Sequence, residues 1–557
     1  MAPQVQPAAW GKHMAQALQY GKPAIIRVPR RPCPAHWQCP AVDSRPMSQS
    51  FFHLFRSGAP ESRTDKRLAQ NYSKPLSGAI LAGALALALG AGGAGAVQAQ
   101  ELASSAAADT RLPASVESAL ARAKLPREAV SLLVMEVDGK SAPRLSWRTH
   151  TPMNPASVLK LVTTYAALDQ LGPAYVWRTP VLFGGPVEDG ALRGNLYIQG
   201  QGDPKLVVER LWLMLRRLQG MGVKVIVGDI VLDRGAFQNP GHNAASFDNE
   251  PWRPYNVSPD ALLINYKAVA MGFSPDSAAG VARVQYDPPM HGMQNQATVP
   301  LAPAGSDCGD WQSKLKLDMN DPQRIGFQGQ FPATCGEKSW AVAPGAPEQF
   351  AGKAIEGMWR ELGGKLTGTV RDGKVPAGLT PVFQLDSPSL AEVVRDVNKY
   401  SNNVMAQHVF LTLGMQRTGT TSFDASRTAL SQWWQSKWGS AELPVVDNGA
   451  GLSRDARITA NALGQMLQQA WRSPVMPEFI ASMPIVGVDG TLRRSRSSFA
   501  GAAHLKTGTL RDSSALAGYV NGVSGRRYVL VAMANHNNAV AARAAWDALV
   551  DWTARDQ

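Results

Sequence analysis

Apolar positions along this chain follow three rhythms. Residues 129–137 form an almost unbroken apolar run of strand length, interrupted only by Ser131 and Glu136. The turn residues Asp138-Gly139-Lys140 follow, and 144–149 read as a returning strand, so a hairpin is predicted. A helical spacing covers 115–123 before it. Another begins after Asn154-Pro155-Ala156-Ser157 and runs to Leu171-Gly172, with proline at its entrance and glycine at its exit. The C-terminal end mirrors this arrangement. Residues 503–509, 514–520 and 527–534 read as strands, the last two joined by Asn521-Gly522-Val523-Ser524-Gly525. Residues 539–554 read as an amphipathic closing helix containing Trp546, Leu549, Val550 and Trp552. Two strands early and three late predict one sheet completed by both ends of the chain, with helices covering its faces: an α+β fold.

The middle has a different texture. From about 180 to 380 the chain carries many Gly/Pro turns and short β-like runs, such as Leu196-Tyr197-Ile198 and Val223-Lys224-Val225-Ile226-Val227. Residues 267–350 are richest in Pro, Gly, Asn and Gln. An inserted β-rich domain with a smaller one nested inside it is therefore expected, and no internal repeat is evident. The division that follows is a peptidase-type body at 100–179 and 381–557, an inserted domain at 180–266 and 351–380, and a nested domain at 267–350.

Composition changes this picture mainly at the N-terminus. The 557 residues are 45% hydrophobic and 18% charged, as for a folded globular protein, and carry a formal net charge of +13. Eleven of the 56 Lys and Arg but only three of the 43 Asp and Glu precede Gln100, so most of the excess belongs to a leader. No basic cluster interleaved with aromatics occurs in the body, which excludes an obvious nucleic-acid surface. Lys66, Arg67 and Lys74 precede an apolar stretch from Leu76 to about Gly90, and Val97-Gln98-Ala99 offers a small-x-small cleavage site. Residues 1–99 are thus read as a leader with a secretory signal peptide cut after Ala99; an uncleaved anchor is the competing reading. Beyond the leader only Cys308 and Cys335 remain, a plausible disulfide in an oxidising compartment, with two free thiols as the alternative. No metal-ligand spacing and no glycine fingerprint for a nucleotide is found, so no cofactor is indicated.

Three short motifs carry candidate chemistry. In Ser157-Val158-Leu159-Lys160, residues three apart share a helix face, so the amine can lie beside the hydroxyl. A lysine can take the serine proton only if desolvation or a neighbouring cation depresses its pKa. Alone the motif is weak: Ser313-Lys314-Leu315-Lys316 also fits, but lacks the helix-limiting proline and lies in the insertion. In Ser401-Asn402-Asn403 a hydroxyl and an amide point the same way only from a loop or extended turn; the overlapping Tyr400-x-Asn402 would put a phenol there instead. In Lys506-Thr507-Gly508-Thr509, a regular strand sends Lys506 and Gly508 to one face and the two threonines to the other. Each motif in isolation is more often a plain helix break or strand end.

Their combination and order are decisive. Ser-x-x-Lys, Ser-x-Asn and Lys-Thr-Gly in sequence resemble the penicillin-recognising serine peptidases and β-lactamases. The long segment between Ser157 and Ser401 is similar to that of the D-alanyl-D-alanine carboxypeptidase/endopeptidase family that includes penicillin-binding protein 4. Gly202-Asp203-Pro204, Asp447-Asn448-Gly449-Ala450-Gly451-Leu452-Ser453, Gly487-Val488-Asp489-Gly490-Thr491-Leu492 and His504-Leu505-Lys506-Thr507-Gly508-Thr509-Leu510 add to the likeness, which covers roughly 110–555. One departure is Asn448-Gly449-Ala450-Gly451, where Asp-Gly-Ser-Gly would be typical. The resemblance implies a penicillin-binding-protein-like domain built on a mixed-order, antiparallel five-stranded sheet with helices on both faces. It implies Ser157 as nucleophile, Lys160 as base, Ser401 as proton relay, Asn403 holding the substrate amide, and Lys506 with Thr507 engaging the terminal carboxylate. Gly508 leaves room for the substrate backbone, and the N–H groups of Ser157 and Thr509 form an oxyanion hole. It further implies peptidoglycan peptides ending in or crosslinked through D-alanine as substrates, β-lactams as inhibitors, a periplasmic location, and little membrane association after cleavage. Trp252 to Asn256 are candidates for reading the stem-peptide side chain. A serine β-lactamase and a non-catalytic peptidoglycan-binding protein are the alternative readings.

Overall fold

The computed structural model describes residues 111–238 and 243–556; the leader and its cleavage site lie outside these. At its centre is an antiparallel five-stranded sheet in the order Ala503–Leu510, Ser513–Asn521, Arg527–Asn535, Val130–Glu136, Leu145–Trp147. Both ends of the chain build it, as the apolar rhythm predicts. Alternation along Val130–Glu136 then divides the interior. Leu133 and Met135 join Ala515, Ala517, Val529 and Val531 in one core, while Leu132 and Val134 join Leu516, Leu530 and Ala532 in another.

The first core packs against the helices Lys160–Leu171, Leu390–Lys399, Asn403–Thr418, Phe423–Trp438 and Ala460–Trp471; the second packs against Ala114–Arg122 and Arg543–Ala554. Local chemistry sets where several of these helices begin. Asn402, Ser422 and Thr459 each accept a backbone N–H three residues on, and Ser389 forms a reciprocal capping box with Glu392. Among the described residues no helix is long and apolar enough to cross a membrane.

The long middle segment leaves and re-enters this body through a paired neck, with Arg178–Phe183 antiparallel to Pro381–Asp386. The neck strands are part of a second five-stranded sheet, and the chain between them adds its other three strands, two four-stranded sheets, and the helices Val208–Gly220 and Phe350–Glu361. The segment is thus not purely β-rich. One apolar core joins both helices to the antiparallel strands Val269–Asp276 and Val281–Asp287. We propose domain boundaries at the neck and near 267 and 350, where the sheet changes from mixed to purely antiparallel. The bonded pair Cys308 and Cys335 lies in the latter stretch.

A threefold repeat inside the insertion escapes inspection of the sequence. Ala191–Leu192, Val225–Ile226 and Lys365–Leu366 stack in register, and Leu196, Ile230 and Val370 stack five residues later in each copy. At the bend between, Asn195 Oδ1 accepts the Asp229 N–H at 2.8 Å, and Asp229 Oδ1 accepts the Thr369 N–H at 3.0 Å. Only a Gly followed by Asn, Asp or Thr is shared, too little identity to see by eye.

Candidate active site

Ser157 sits in a 3-10 turn, Ala156–Leu159, that runs directly into the helix Lys160–Leu171. The turn is held in a strained shape, with Ala156 at φ +46°. Asn154 supplies much of the restraint. Its Oδ1 accepts the Ala156 N–H at 2.9 Å, its Nδ2 donates to Ser453 O at 2.9 Å, and its N–H donates to Asn535 Oδ1 at 2.7 Å. Gly451 presses on the same turn; a Cβ there would lie 2.0 Å from Ala156 O.

Lys160 has no exposed surface. Its Nζ lies 2.9 Å from Ser157 Oγ, 2.7 Å from Asn403 Oδ1 and 2.5 Å from Ala450 O. Burial, and then the nearby charge of Lys506, hold its pKa well below that of an ordinary lysine. The partners fix where its lone pair points. Asn403 Nδ2 donates to Tyr255 O at 3.0 Å, which leaves Oδ1 as the acceptor facing Lys160, and Ala450 O can only accept. A neutral amine spends both N–H bonds on those oxygens, so its lone pair is left for the Ser157 hydroxyl. Because Ala450 contributes a carbonyl, alanine there in place of serine keeps this contact.

Ser401 stands between two helices in a left-handed conformation, φ +59°, and its Oγ accepts from Lys506 Nζ at 2.8 Å. Asn403 is already the first residue of the following helix. The overlapping Tyr400 is 65% exposed, so the hydroxyl turned to the site is that of Ser401. Lys506 is also without exposed surface, and burial brings its pKa down to about 7; its other partner is Thr507 O at 2.7 Å. The pattern on this edge strand agrees with a regular pleat. Lys506 and Gly508 turn inward, while Thr507 is half-buried and Thr509 exposed.

Asn403 and Lys506 are both engaged within the site. Asn403 Oδ1 faces Lys160 and one Nδ2–H goes to Tyr255 O, so the side chain braces Lys160 and keeps its second Nδ2–H. The Lys506 ammonium is enclosed and donates to Ser401 Oγ and Thr507 O. Ser157, Ser401, Thr507, Gly508 and Thr509 line one cavity of about 540 Å³; Ser157, Ser401, Asn403 and Thr509 also border a wider one of about 810 Å³, together with Tyr255 and Arg454. Of the candidates between 252 and 256, Tyr255 reaches that wider space, whereas Trp252 does not line it. The second Ser-x-x-Lys lies elsewhere, with Ser313 Oγ donating to Asp310 O and Lys316 in a left-handed conformation at the end of the short helix Trp311–Leu315.

Gly508 has a steric reason. A Cβ there would lie 2.5 Å from Pro155 O and 2.9 Å from Ser157 N. We expect Gly508→Ala to push the Ser157 turn from the strand and, if Ser157 is the acylated residue, to lower acylation by roughly 100-fold, since a displacement near 1 Å at a reacting group costs that much. Stopped-flow acylation by a reporter β-lactam, with thermal melting as the check on folding, measures this.

Several contributors carry no motif of their own. Asn154, Asn535, Tyr255 O and Ala450 O act through position, and Thr491, whose Oγ1 lies 2.8 Å from Thr507 Oγ1, falls inside a segment noted only for its likeness. His408 is another. It is buried on the helix that begins with Asn403, and desolvation takes its pKa down to about 4, so the ring is neutral. Nε2 accepts the Asp260 N–H at 3.2 Å, which leaves Nδ1–H to donate to Gly202 O at 2.9 Å. Gly202-Asp203-Pro204 thereby ties the insertion to the helix that clamps Lys160.

The chain is 28% identical over 404 residues to a D-alanyl-D-alanine carboxypeptidase of Actinomadura sp. (strain R39), covering 67% of this chain and 71% of that one. It is 24% identical over 396 residues to the D-alanyl-D-alanine carboxypeptidase DacB of Haemophilus influenzae, covering 69% and 81%. Its fold matches the crystal structure of penicillin binding protein 4 from H. influenzae with a TM-score of 0.62 at 21% identity, over 78% of this chain and 99% of that one. The same protein complexed with a β-lactam gives 0.57, over 76% and 93%. The family model for D-Ala-D-Ala carboxypeptidase 3 (S13) matches residues 112–556, nearly everything described above, and the chain belongs to that family.

Proposed function

We propose that the chain is a serine-type D-alanyl-D-alanine peptidase of peptidoglycan, acting on stem peptides and their crosslinks through an acyl-enzyme on Ser157 and inhibited by β-lactams. One observation carries this reading: a fully buried lysine whose lone pair is left facing a reachable serine. Lys160 takes the Ser157 proton as Oγ attacks the carbonyl between two D-alanines. Negative charge develops on the carbonyl oxygen, where the N–H groups of Ser157 and Thr509 receive it; such donors are worth on the order of 3 kcal/mol each. The C–N bond then breaks. Ser401, backed by Lys506, supplies the proton to the departing amine, and water later releases the acyl group.

A β-lactam follows the same course until its leaving group, still tethered, blocks the water. Family membership and the complex of the Haemophilus protein with a β-lactam support this part. The charged leader with its Val97-Gln98-Ala99 site supports export to the periplasm. The test is to incubate the purified protein with benzylpenicillin, follow intact mass with time, and map the adduct. A penicilloyl group that persists on Ser157 is expected. An adduct elsewhere would remove Ser157 from its role, and rapid drug loss without an adduct would indicate a β-lactamase.

A further inference from the structure

Tyr255 O decides which way the Asn403 amide faces. A neutral lysine amine can donate or accept, so Lys160 by itself is compatible with both orientations of that amide. A backbone carbonyl only accepts. Tyr255 O therefore holds Nδ2 toward itself at 3.0 Å and leaves Oδ1 toward Lys160 Nζ at 2.7 Å. Turned over, the amide would offer an N–H to the Lys160 lone pair, the same pair that the Ser157 hydroxyl needs. The competence of the base thus depends on where residue 255 sits, and residue 255 belongs to the segment beyond the neck.

The chain after Tyr255 lies across the helix Asn403–Thr418 and is tied to it twice. Five residues beyond the Tyr255–Asn403 contact on both segments, the Asp260 N–H donates to His408 Nε2 at 3.2 Å. Between the two ties Val257 and Val404 share a small apolar core. Asp260 has no exposed side-chain surface, and its Oδ2 receives Arg234 Nη1 at 2.9 Å and Lys267 Nζ at 3.0 Å. Arg234 links this hub to the rest of the insertion, donating to Asp372 Oδ2 at 2.9 Å and Glu348 O at 2.7 Å. Lys267 reaches Asp260 from a strained turn. Asn265, Tyr266 and Lys267 are consecutive non-glycine residues at φ +43°, +58° and +50°, a conformation that crowds Cβ and persists only where its surroundings enforce it. The Asn265 N–H to Leu206 O at 3.0 Å and Asn265 Nδ2 to Ala268 O at 2.9 Å hold the turn, and Tyr266 packs against the Val257–Val404 core.

We propose that residues 255–267 are a positioning strap for the base, in which Asp260, gripped by Arg234 and Lys267, is set on His408 so that Tyr255 O fixes the Asn403 amide toward Lys160. The strap rests on the acyl-enzyme reading above, and it gives the insertion a task inside the chemical step. Asp260 and His408 are positioning residues; neither lines the cavities at Ser157. The neutral imidazole suits this place because it presents one acceptor and one donor. Nε2 receives the strap while Nδ1–H holds Gly202 O at 2.9 Å. An apolar side chain there would leave the buried Asp260 N–H without an acceptor, a cost the strap escapes by moving.

The experiment follows acylation of the purified protein by a chromogenic cephalosporin in stopped flow, for wild type, His408→Leu, His408→Gln and Arg234→Gln. A range of drug concentrations separates the non-covalent binding constant from the acylation rate constant. His408→Leu should lower the rate constant by roughly 10- to 100-fold, as a misplacement of up to about 1 Å does, with binding changed by no more than about twofold. His408→Gln, whose Oε1 can accept the Asp260 N–H, should recover most of that loss. Arg234→Gln leaves Lys267 as counter-charge to Asp260 and should lower the rate constant by about threefold or more; it decides the matter if melting shows that His408→Leu does not fold. A folded His408→Leu with the wild-type rate constant, a loss confined to binding, a His408→Gln as slow as His408→Leu, or an Arg234→Gln unchanged in rate would each overturn the strap. A wild type that took no β-lactam adduct at all would overturn the underlying function, and the strap with it.

Discussion

Replacing Ser157 by alanine is expected to abolish the penicillin adduct and to reduce D-alanine release by on the order of 10⁴-fold or more, as for nucleophiles that act as one unit with their base. The expectation follows from what the serine touches. Its hydroxyl is the group left facing the Lys160 lone pair, and among the described residues the other contacts of Nζ are Asn403 Oδ1 and Ala450 O. Ser401, another hydroxyl at the site, already accepts from Lys506 at 2.8 Å and is not among the contacts of Lys160 Nζ. The fold should survive. Ser157 is half-buried, and the turn is held by Asn154 and Gly451 rather than by the hydroxyl. Intact-mass analysis with benzylpenicillin and quantification of free D-alanine read both effects. An adduct retained by the variant at wild-type stoichiometry would move the nucleophile elsewhere.

How far the sequence reaches depends on whether a residue acts through its type or through its position. The sheet is legible because its strands are long and buried, and the turns between them carry Asp-Gly and Gly-rich signals. Ser157, Lys160, Ser401 and Lys506 are legible because their functional groups recur at fixed spacing. Asn403 is found by the same pattern, but its hydrogen bond to Tyr255 O, a carbonyl from the insertion, is announced by no side-chain motif. Ala450 and Gly202 lie in segments marked only by their likeness to the family, and the use of their carbonyls is not announced by residue type. The insertion resists in another way. Its stacked repeat uses strands of two to four residues whose pairing is set by a bend and an Asx side chain, and so little apolar periodicity develops that only short β-like runs are visible.

On the proposed mechanism the two lysines divide the work by their surroundings, and that division predicts how the reaction responds to pH. Lys160 must be neutral to accept a proton, and burial with the Lys506 charge holds it so well below the ordinary lysine range. Acylation should therefore rise with pH through this lowered value, and not near 10.5. Lys506, brought down to about 7 by burial, loses its charge as pH passes that value, and proton supply to the departing amine through Ser401 should fall with it. The profile of kcat/KM is expected to be bell-shaped, with its basic limb near neutrality. Lys160→Met should lower acylation by about 10³- to 10⁴-fold, at the upper end of what a general base supplies, and erase the acidic limb. Stability offers an independent reading of the same group. Lys160 gives up its proton on folding, so the unfolded chain binds more protons between its depressed folded pKa and the unfolded value near 10.4. The penalty is constant below that window and shrinks through it by about 1.4 kcal/mol per pH unit, so wild type should gain stability relative to Lys160→Met as pH rises. Denaturant midpoints of the two proteins across pH measure this. A difference that stayed flat, together with an acidic limb that persisted in Lys160→Met, would mean that the amine keeps its proton and that the base lies elsewhere.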